Sequence, residues 1–189
     1  SIIAFSEKPK ALLTATSFRE EDRIKKAIND LKPSGKTDGN AGIKLAYKLA
    51  DENYVRGGNN RIILATDGDF NVGEVSEDAL MQLIMQKQQT GIYLTCLGVG
   101  MGNYKDSKLE ILAKKGNGNF AYLDNVMEAE KVLVTELMQT LYTVANETFL
   151  NIYFNAELVK KYRLIGYDNR KDALADSTSQ LEGGEIGSG

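Results

Sequence analysis

The chain has 189 residues, 42% of them hydrophobic, and a net charge of −3 from 23 Lys+Arg against 26 Asp+Glu. That is enough apolar material for one substantial core, and the interspersed charges give no basic field of the kind a phosphate backbone requires, which argues against nucleic acid as a partner. Histidine is absent, which removes Ser-His-Asp and Cys-His catalysis and histidine-ligated zinc, so any metal would be hard and oxygen-bound.

Ser1 to Phe5 opens the chain without a charged leader and reads as a strand already under way. Ile2 to Phe5 and Ala11 to Thr14 flank the connector Glu7-Lys8-Pro9-Lys10, whose charge and proline predict an antiparallel hairpin with its second strand at an edge. Arg19 to Leu31 carries Ile24, Ala27, Ile28 and Leu31 at helical spacing and stops before Pro33. Ala41 to Tyr54 repeats the pattern, with Ile43, Ala46, Tyr47, Ala50 and Tyr54 on one face, and Gly57-Gly58-Asn59-Asn60 punctuates it before a strand from Arg61 to Ala65.

The rhythm continues with a helix from Ser76 to about Gln89, with Ser76 as its cap and Glu77 and Asp78 set against the helix dipole. A strand Ile92 to Leu97 follows, then a helix near Ser107 to Lys115, a glycine-asparagine turn, a strand Phe120 to Leu123 and a long helix from Val126 to about Ala145. Strands alternating with helices predict an α/β fold: a doubly wound, mostly parallel sheet with helices on both faces. Thr148 to Phe154 and Tyr162 to Tyr167 read as two strands with no crossover helix, forming a short β appendage. Three parts are expected: residues 1–146, the appendage at 147–168 and a flexible tail at 169–189 whose last residues, Glu182 to Gly189, lack periodicity. No stretch reaches the roughly 20 apolar residues of a membrane span. Cys96, the single cysteine, lies in the apolar run GIYLTCLGVG and reads as a small buried hydrophobe.

Three places carry polar residues that chemistry could use. The run RIILATDGDFNVG delivers Asp67 to the end of a buried strand, where ligands gather in open parallel sheets because the loops diverge there. Asp67-Gly-Asp69-Phe-Asn71 superficially matches a calcium loop, but Val72 stands where that loop needs glycine and Asp78 where it needs a bidentate glutamate. Gly98-Val-Gly100-Met-Gly102 follows a strand, yet its third glycine is misplaced for a dinucleotide fingerprint, and the glycines read as a turn. Ser34-Gly35-Lys36-Thr37-Asp38-Gly39 precedes a helix, where Thr37, Asp38 or Asn40 can cap free amides. The Thr37 hydroxyl and the Asp67 carboxylate are hard oxygens of the type Mg²⁺ accepts.

The order of elements, the Gly-x-Thr-Asp-Gly loop, IILATDGDFN and YLTCLGVG together resemble the von Willebrand factor type A domain over roughly Ser1 to Ala145. GNNRIILATDGDFNVG, GIYLTCLGVGMGNYKDSKLEILAKKGNGNFAYLDN and YRLIGYDNR resemble bacterial members with an extra C-terminal region. The resemblance implies a metal-ion-dependent adhesion site built from an Asp-x-Ser-x-Ser motif, a threonine matched by Thr37 and an aspartate matched by Asp67. No Asp-x-Ser-x-Ser occurs, and the chain opens at what resembles the family's second strand. The first strand would be central, between Ile2 to Phe5 and Arg61 to Ala65, and weak or absent metal binding is expected without it.

The function implied by the resemblance is recognition of a protein partner. Mg²⁺, or in its place Mn²⁺ or Ca²⁺, keeps a free coordination position that a partner's Asp or Glu completes. The rim would comprise Lys36, Asp38, Asp69, Phe70, Asn71 and the Met101-Gly102-Asn103-Tyr104 loop, with Phe70 and Tyr104 as aromatic anchors. A metal-independent scaffold in a bacterial envelope assembly is the alternative, and a metal-assisted hydrolase using Asp67 and Asp69 is disfavoured because no nucleophile with a nearby base is visible. The resemblance favours the cell envelope or a secreted location.

Overall fold

A computed structural model describes residues 1–5, 8–32, 38–66, 77–100, 106–136, 143–148, 152–163 and 184–187. The centre is a parallel sheet in the order β3 (Asn60–Thr66), β4 (Ile92–Val99) and β5 (Phe120–Leu123). Its register runs from Asn60 opposite Ile92 to Thr66 opposite Gly98, and from Cys96 opposite Phe120 to Val99 opposite Leu123. β1 (Ile2–Ala4) and β2 (Lys10–Leu13) form the expected antiparallel hairpin as a separate two-stranded sheet.

Three helices cover one face of the parallel sheet: α2 (Gly39–Glu52), α3 (Glu77–Gln89) and α4 (Asp106–Lys115). Their apolar stripes meet alternate strand residues, so Ile43, Tyr47, Ile84, Leu94 and Cys96 form one cluster with Leu109 and Leu112. On the opposite face, Leu97 and Leu123 pack against Val132 of a π-helical segment, Lys131–Glu136, which continues α5 (Val126–Glu130). Helices therefore lie on both faces of the parallel sheet, the α/β class read from the sequence.

Turn chemistry holds the pieces in place. Asn60 closes the loop before β3: its Oδ1 accepts from the Val55 amide at 2.9 Å, and its Nδ2 donates to the carbonyls of Val55 at 2.9 Å and Gly58 at 3.2 Å. After α4, the Leu94 amide donates to the Gly116 carbonyl and the Cys96 amide to the Asn119 carbonyl, so the turn is already docked on β4 before β5 begins. That docking requires glycine at position 118, where a Cβ would sit 2.1 Å from the Leu94 carbonyl oxygen.

Several expectations change. The helix expected from Val126 to about Ala145 holds only in part: Val126–Glu130 is α-helical and passes into the π-helical segment, residues 137–142 lie outside the described residues, and Thr143–Thr148 is strand β6. β6 pairs antiparallel with β7 (Gly184–Gly187), which lies in the stretch expected to be a flexible end. Long-range pairing overrides local helix periodicity there, and the β-branched Thr143 and Val144 were the available signal. Residues 152–154 and 162–163, read as parts of two strands, are not in strands, although the rings of Phe154 and Tyr162 stack at 4.3 Å. The helix α1 (Glu21–Asn29) forms but buries no residue, and Tyr54 lies beyond the end of α2, 45% exposed.

Candidate functional site

Asp38 and Thr66, the described neighbours in sequence of Thr37 and Asp67, belong to the helix and strand pair α2 and β3. With about 1.5 Å rise per helical residue and about 3.3 Å per strand residue, the 14 residues of α2 and the 7 of β3 have nearly equal length, about 20 Å. The chain turns back at Val55 to Asn60, so α2 returns along β3, and Gly42, Ile43 and Leu64 line one cavity. The N-terminus of α2 thus comes level with the C-terminal end of β3, where Thr66 is buried.

Asp38 caps α2. Its Oδ1 accepts a 3.0 Å hydrogen bond from the Ala41 amide, which satisfies one free donor of the first turn and places a carboxylate at the positive end of the helix dipole. Asn40, two residues on, is 2% exposed, and its Oδ1 has no hydrogen-bond partner among the described residues. A buried hard oxygen of this kind costs free energy unless a donor or a cation meets it, and this donor chemistry suits a divalent ion such as Mg²⁺. Among the described residues, no group of three or more His, Cys, Asp or Glu side chains could hold a metal.

A neighbouring strand end is fixed from β5. Tyr122 donates its hydroxyl hydrogen to the Gly100 carbonyl at 2.7 Å, and Gly100 has φ of +141°, a conformation that favours glycine. Of the run Gly98-Val-Gly100-Met-Gly102, Gly98 and Val99 lie in β4 and Gly100 follows its end, Met101 and Gly102 lie outside the described residues, and the next helix begins at Asp106. Sequence reasoning did not find Tyr122, Thr66 or the orphaned Asn40 oxygen as parts of this edge. Asn40 alone carried a signal, as a capping candidate.

Of the site residues expected from sequence, Asp38 is described and serves as the helix cap. Thr37, Lys36, Asp67, Asp69, Phe70, Asn71 and Tyr104 lie outside the described residues, as does Ser76. Thr37 directly precedes the Asp38 cap in sequence, and Asp67 directly follows Thr66. Beneath this edge, Cys96 is fully buried, as expected, and burial pushes its thiol up to about 12. Burial, with a smaller contribution from Cys96, also raises the Tyr47 phenol. Neither group has the exposed, electropositive setting of a reactive nucleophile.

Residues 1–136 match the family model of the von Willebrand factor type A domain, and residues 139–189 match one described as uncharacterized protein YfbK, C-terminal. The chain is similar to uncharacterized protein YfbK of Escherichia coli (strain K12), 37% identical over 190 residues, a match covering 100% of the chain and 33% of that relative. It is 27% identical over 167 residues to uncharacterized protein sll0103 of Synechocystis, covering 87% of the chain and 37% of that relative. The chain thus spans about a third of the length of these curated relatives.

Among solved structures, it is similar to a von Willebrand factor type A protein from Catenulispora acidiphila, with TM-score 0.54 and 18% identity over 68% of this chain and 30% of that one. The SpRpn10 VWA domain superposes with TM-score 0.52 and 16% identity over 65% and 62% of the two chains. Proximal thread matrix protein 1 from the mussel byssus, a structure described with a zinc-occupied MIDAS motif, gives TM-score 0.51 and 20% identity over 74% and 35%. At these identities the structural likeness shows the fold alone.

Proposed function

This chain belongs to the von Willebrand factor type A family, and on that premise we propose that it is a metal-dependent protein-recognition module. Domains of this family are commonly protein-interaction modules and often bind a divalent metal at their adhesion site. The observation that supports the reading here is the helix and strand pair that brings the capped N-terminus of α2 level with the end of β3, since Thr37 and Asp67 adjoin those two points in sequence.

Thr37 and Asp67 would hold a Mg²⁺-type ion through a hydroxyl and a carboxylate. The bound ion would supply an open coordination position for an acidic side chain of the partner. The chain's own residues do the rest. Asp38 holds the helix start in place, Asn40 keeps a buried acceptor beside it, and Lys36, Asp38, Asp69, Phe70, Asn71 and Tyr104 form the recognition rim. No enzymatic step is assigned to any residue. The division into residues 1–146, 147–168 and 169–189 is likewise proposed as the working organisation of the chain, with β6 crossing the first boundary and β7 tying the last part to it.

Because weak or absent metal binding is expected without the Asp-x-Ser-x-Ser motif, calorimetric titration of Mg²⁺ and Mn²⁺ into a form of the protein that carries that motif, and into its Asp67→Ala and Thr37→Ala variants, tests this reading. Heat of binding in the parent that both substitutions abolish, with circular dichroism unchanged, supports it. Equal titration curves for parent and variants would overturn it and favour the scaffold alternative, in which another surface carries the function.

A further inference from the structure

β5 is an outermost strand of the parallel sheet: among the described residues it pairs with β4 only, and β4 separates it from β3. The Asn119 and Leu123 carbonyls accept from the Cys96 amide at 2.9 Å and the Gly100 amide at 3.4 Å, so these residues turn their backbone groups toward β4. Strand alternation then points the N–H and C=O of Phe120 and Tyr122 outward, away from the sheet. A groove of about 610 Å³ follows that edge. It is lined by Glu110 and Lys114 of α4 on one face of the sheet and by Val132 and Glu136 of the π-helical segment on the other, with Phe120 and Ala121 between them.

From this arrangement we infer that the β5 edge is a self-association surface whose occupant is the β5 edge of a second copy of this chain. In antiparallel pairing about a two-fold axis normal to the sheet, Phe120 stands opposite Tyr122 of the second copy and exchanges both backbone hydrogen bonds with it. The same axis sets each α4 antiparallel to its copy, on the same face of the joined sheet. α4 lies over β4 and β5. Strands about 4.8 Å apart therefore bring the two helices to about 10 Å, the ordinary spacing of packed helices.

The charges favour a second copy over a foreign strand. Glu110 and Lys114 are exposed and one turn apart on the flank of α4 that faces the groove, while Leu109, Leu112 and Ala113 face the sheet. In antiparallel helices such a pair is self-complementary: Glu110 of each copy meets Lys114 of the other, twice in the dimer. On the opposite face Glu136 already has a partner in Lys131 at 3.2 Å, so it brings no unpaired carboxylate to the joint. The strand itself, Phe120-Ala121-Tyr122-Leu123, has none of the lysines or prolines that block edge pairing. The inference goes beyond the metal reading and does not depend on it.

The test is sedimentation equilibrium of the full-length protein in EDTA, so that a failed metal site leaves the result intact. A dimer is expected. Glu110→Lys and Lys114→Glu should each weaken it about tenfold or more, because each sets like charges opposite one another twice, and the double variant, which reverses both pairs, should restore it. Hydrogen exchange of the Phe120 and Tyr122 amides should slow as the dimer forms. If a variant loses the circular dichroism of the parent, the exchange result on the parent decides alone. A protein that stays monomeric up to about 1 mM would overturn the inference. So would a dimer indifferent to the charge substitutions, or one in which those two amides exchange as fast as in the monomer, since other residues would then hold it.

Discussion

The carboxylate of Asp38 accepts a 3.0 Å hydrogen bond from the Ala41 amide, and this contact fixes where α2 begins. Removing it in Asp38→Ala should cost about 1 kcal/mol, the usual worth of an N-cap, whereas Asp38→Asn keeps the acceptor and should cost a few tenths. Urea unfolding measures both. Equal losses would show that the negative charge, and not the hydrogen bond, is what the helix start uses.

Position 118 admits no side chain. A Cβ would approach the Leu94 carbonyl oxygen to 2.1 Å, and backbone cannot move aside as a flexible side chain can. Gly118→Ala should therefore destabilise by about 2 kcal/mol or more, well above an ordinary surface substitution. Thermal unfolding decides, and a midpoint within a degree of the parent would refute the close docking of this turn on β4.

Ile63 and Leu94 point to opposite outcomes from the same kind of change. Leu94→Ala empties a fully buried place in the main cluster and should cost about 2–5 kcal/mol. Ile63→Ala, on the less covered face of β3, should cost about 1 kcal/mol or less. Similar costs for both would mean that Ile63 is covered in solution.

The Cys96 thiol, raised by burial from 9.0 to about 12, sets a pH dependence. Below pH 9 the thiol is protonated whether the chain is folded or not, and stability is unaffected. Between pH 9 and 12 the unfolded chain gives up a proton that the native state keeps, so stability falls as pH rises, by up to about 1.4 kcal/mol per unit. Cys96→Ala should flatten the curve between pH 9 and 10, while above pH 10 the buried Tyr47 phenol, also raised, keeps a fall of the same sign. At pH 8 the native thiol should resist Ellman's reagent and react only in denaturant.

Sequence alone determined the elements whose own residues carry a complete pattern. Ile43 and Tyr47 on one stripe of α2, the apolar runs of β3 and β4, and the glycine turn before β5 were legible because helix and strand periods are local properties of the chain. The Thr37 and Asp67 pairing was legible only as a resemblance between motifs, while the cap at Asp38 could be read from local chemistry. Tertiary structure decided what no window contains. Val132 turns toward Leu97 and Leu123 in a π-helical segment, and Thr143–Thr148 leaves the helical pattern to pair with Gly184–Gly187. Burial depends on neighbours as well as on period, so α1 has an apolar stripe of which Ile24 and Ala27 are only half-buried and no residue is fully buried. A strand's own residues specify that it can pair, but only the rest of the chain supplies the partner, as Gly184–Gly187 does for Thr143–Thr148.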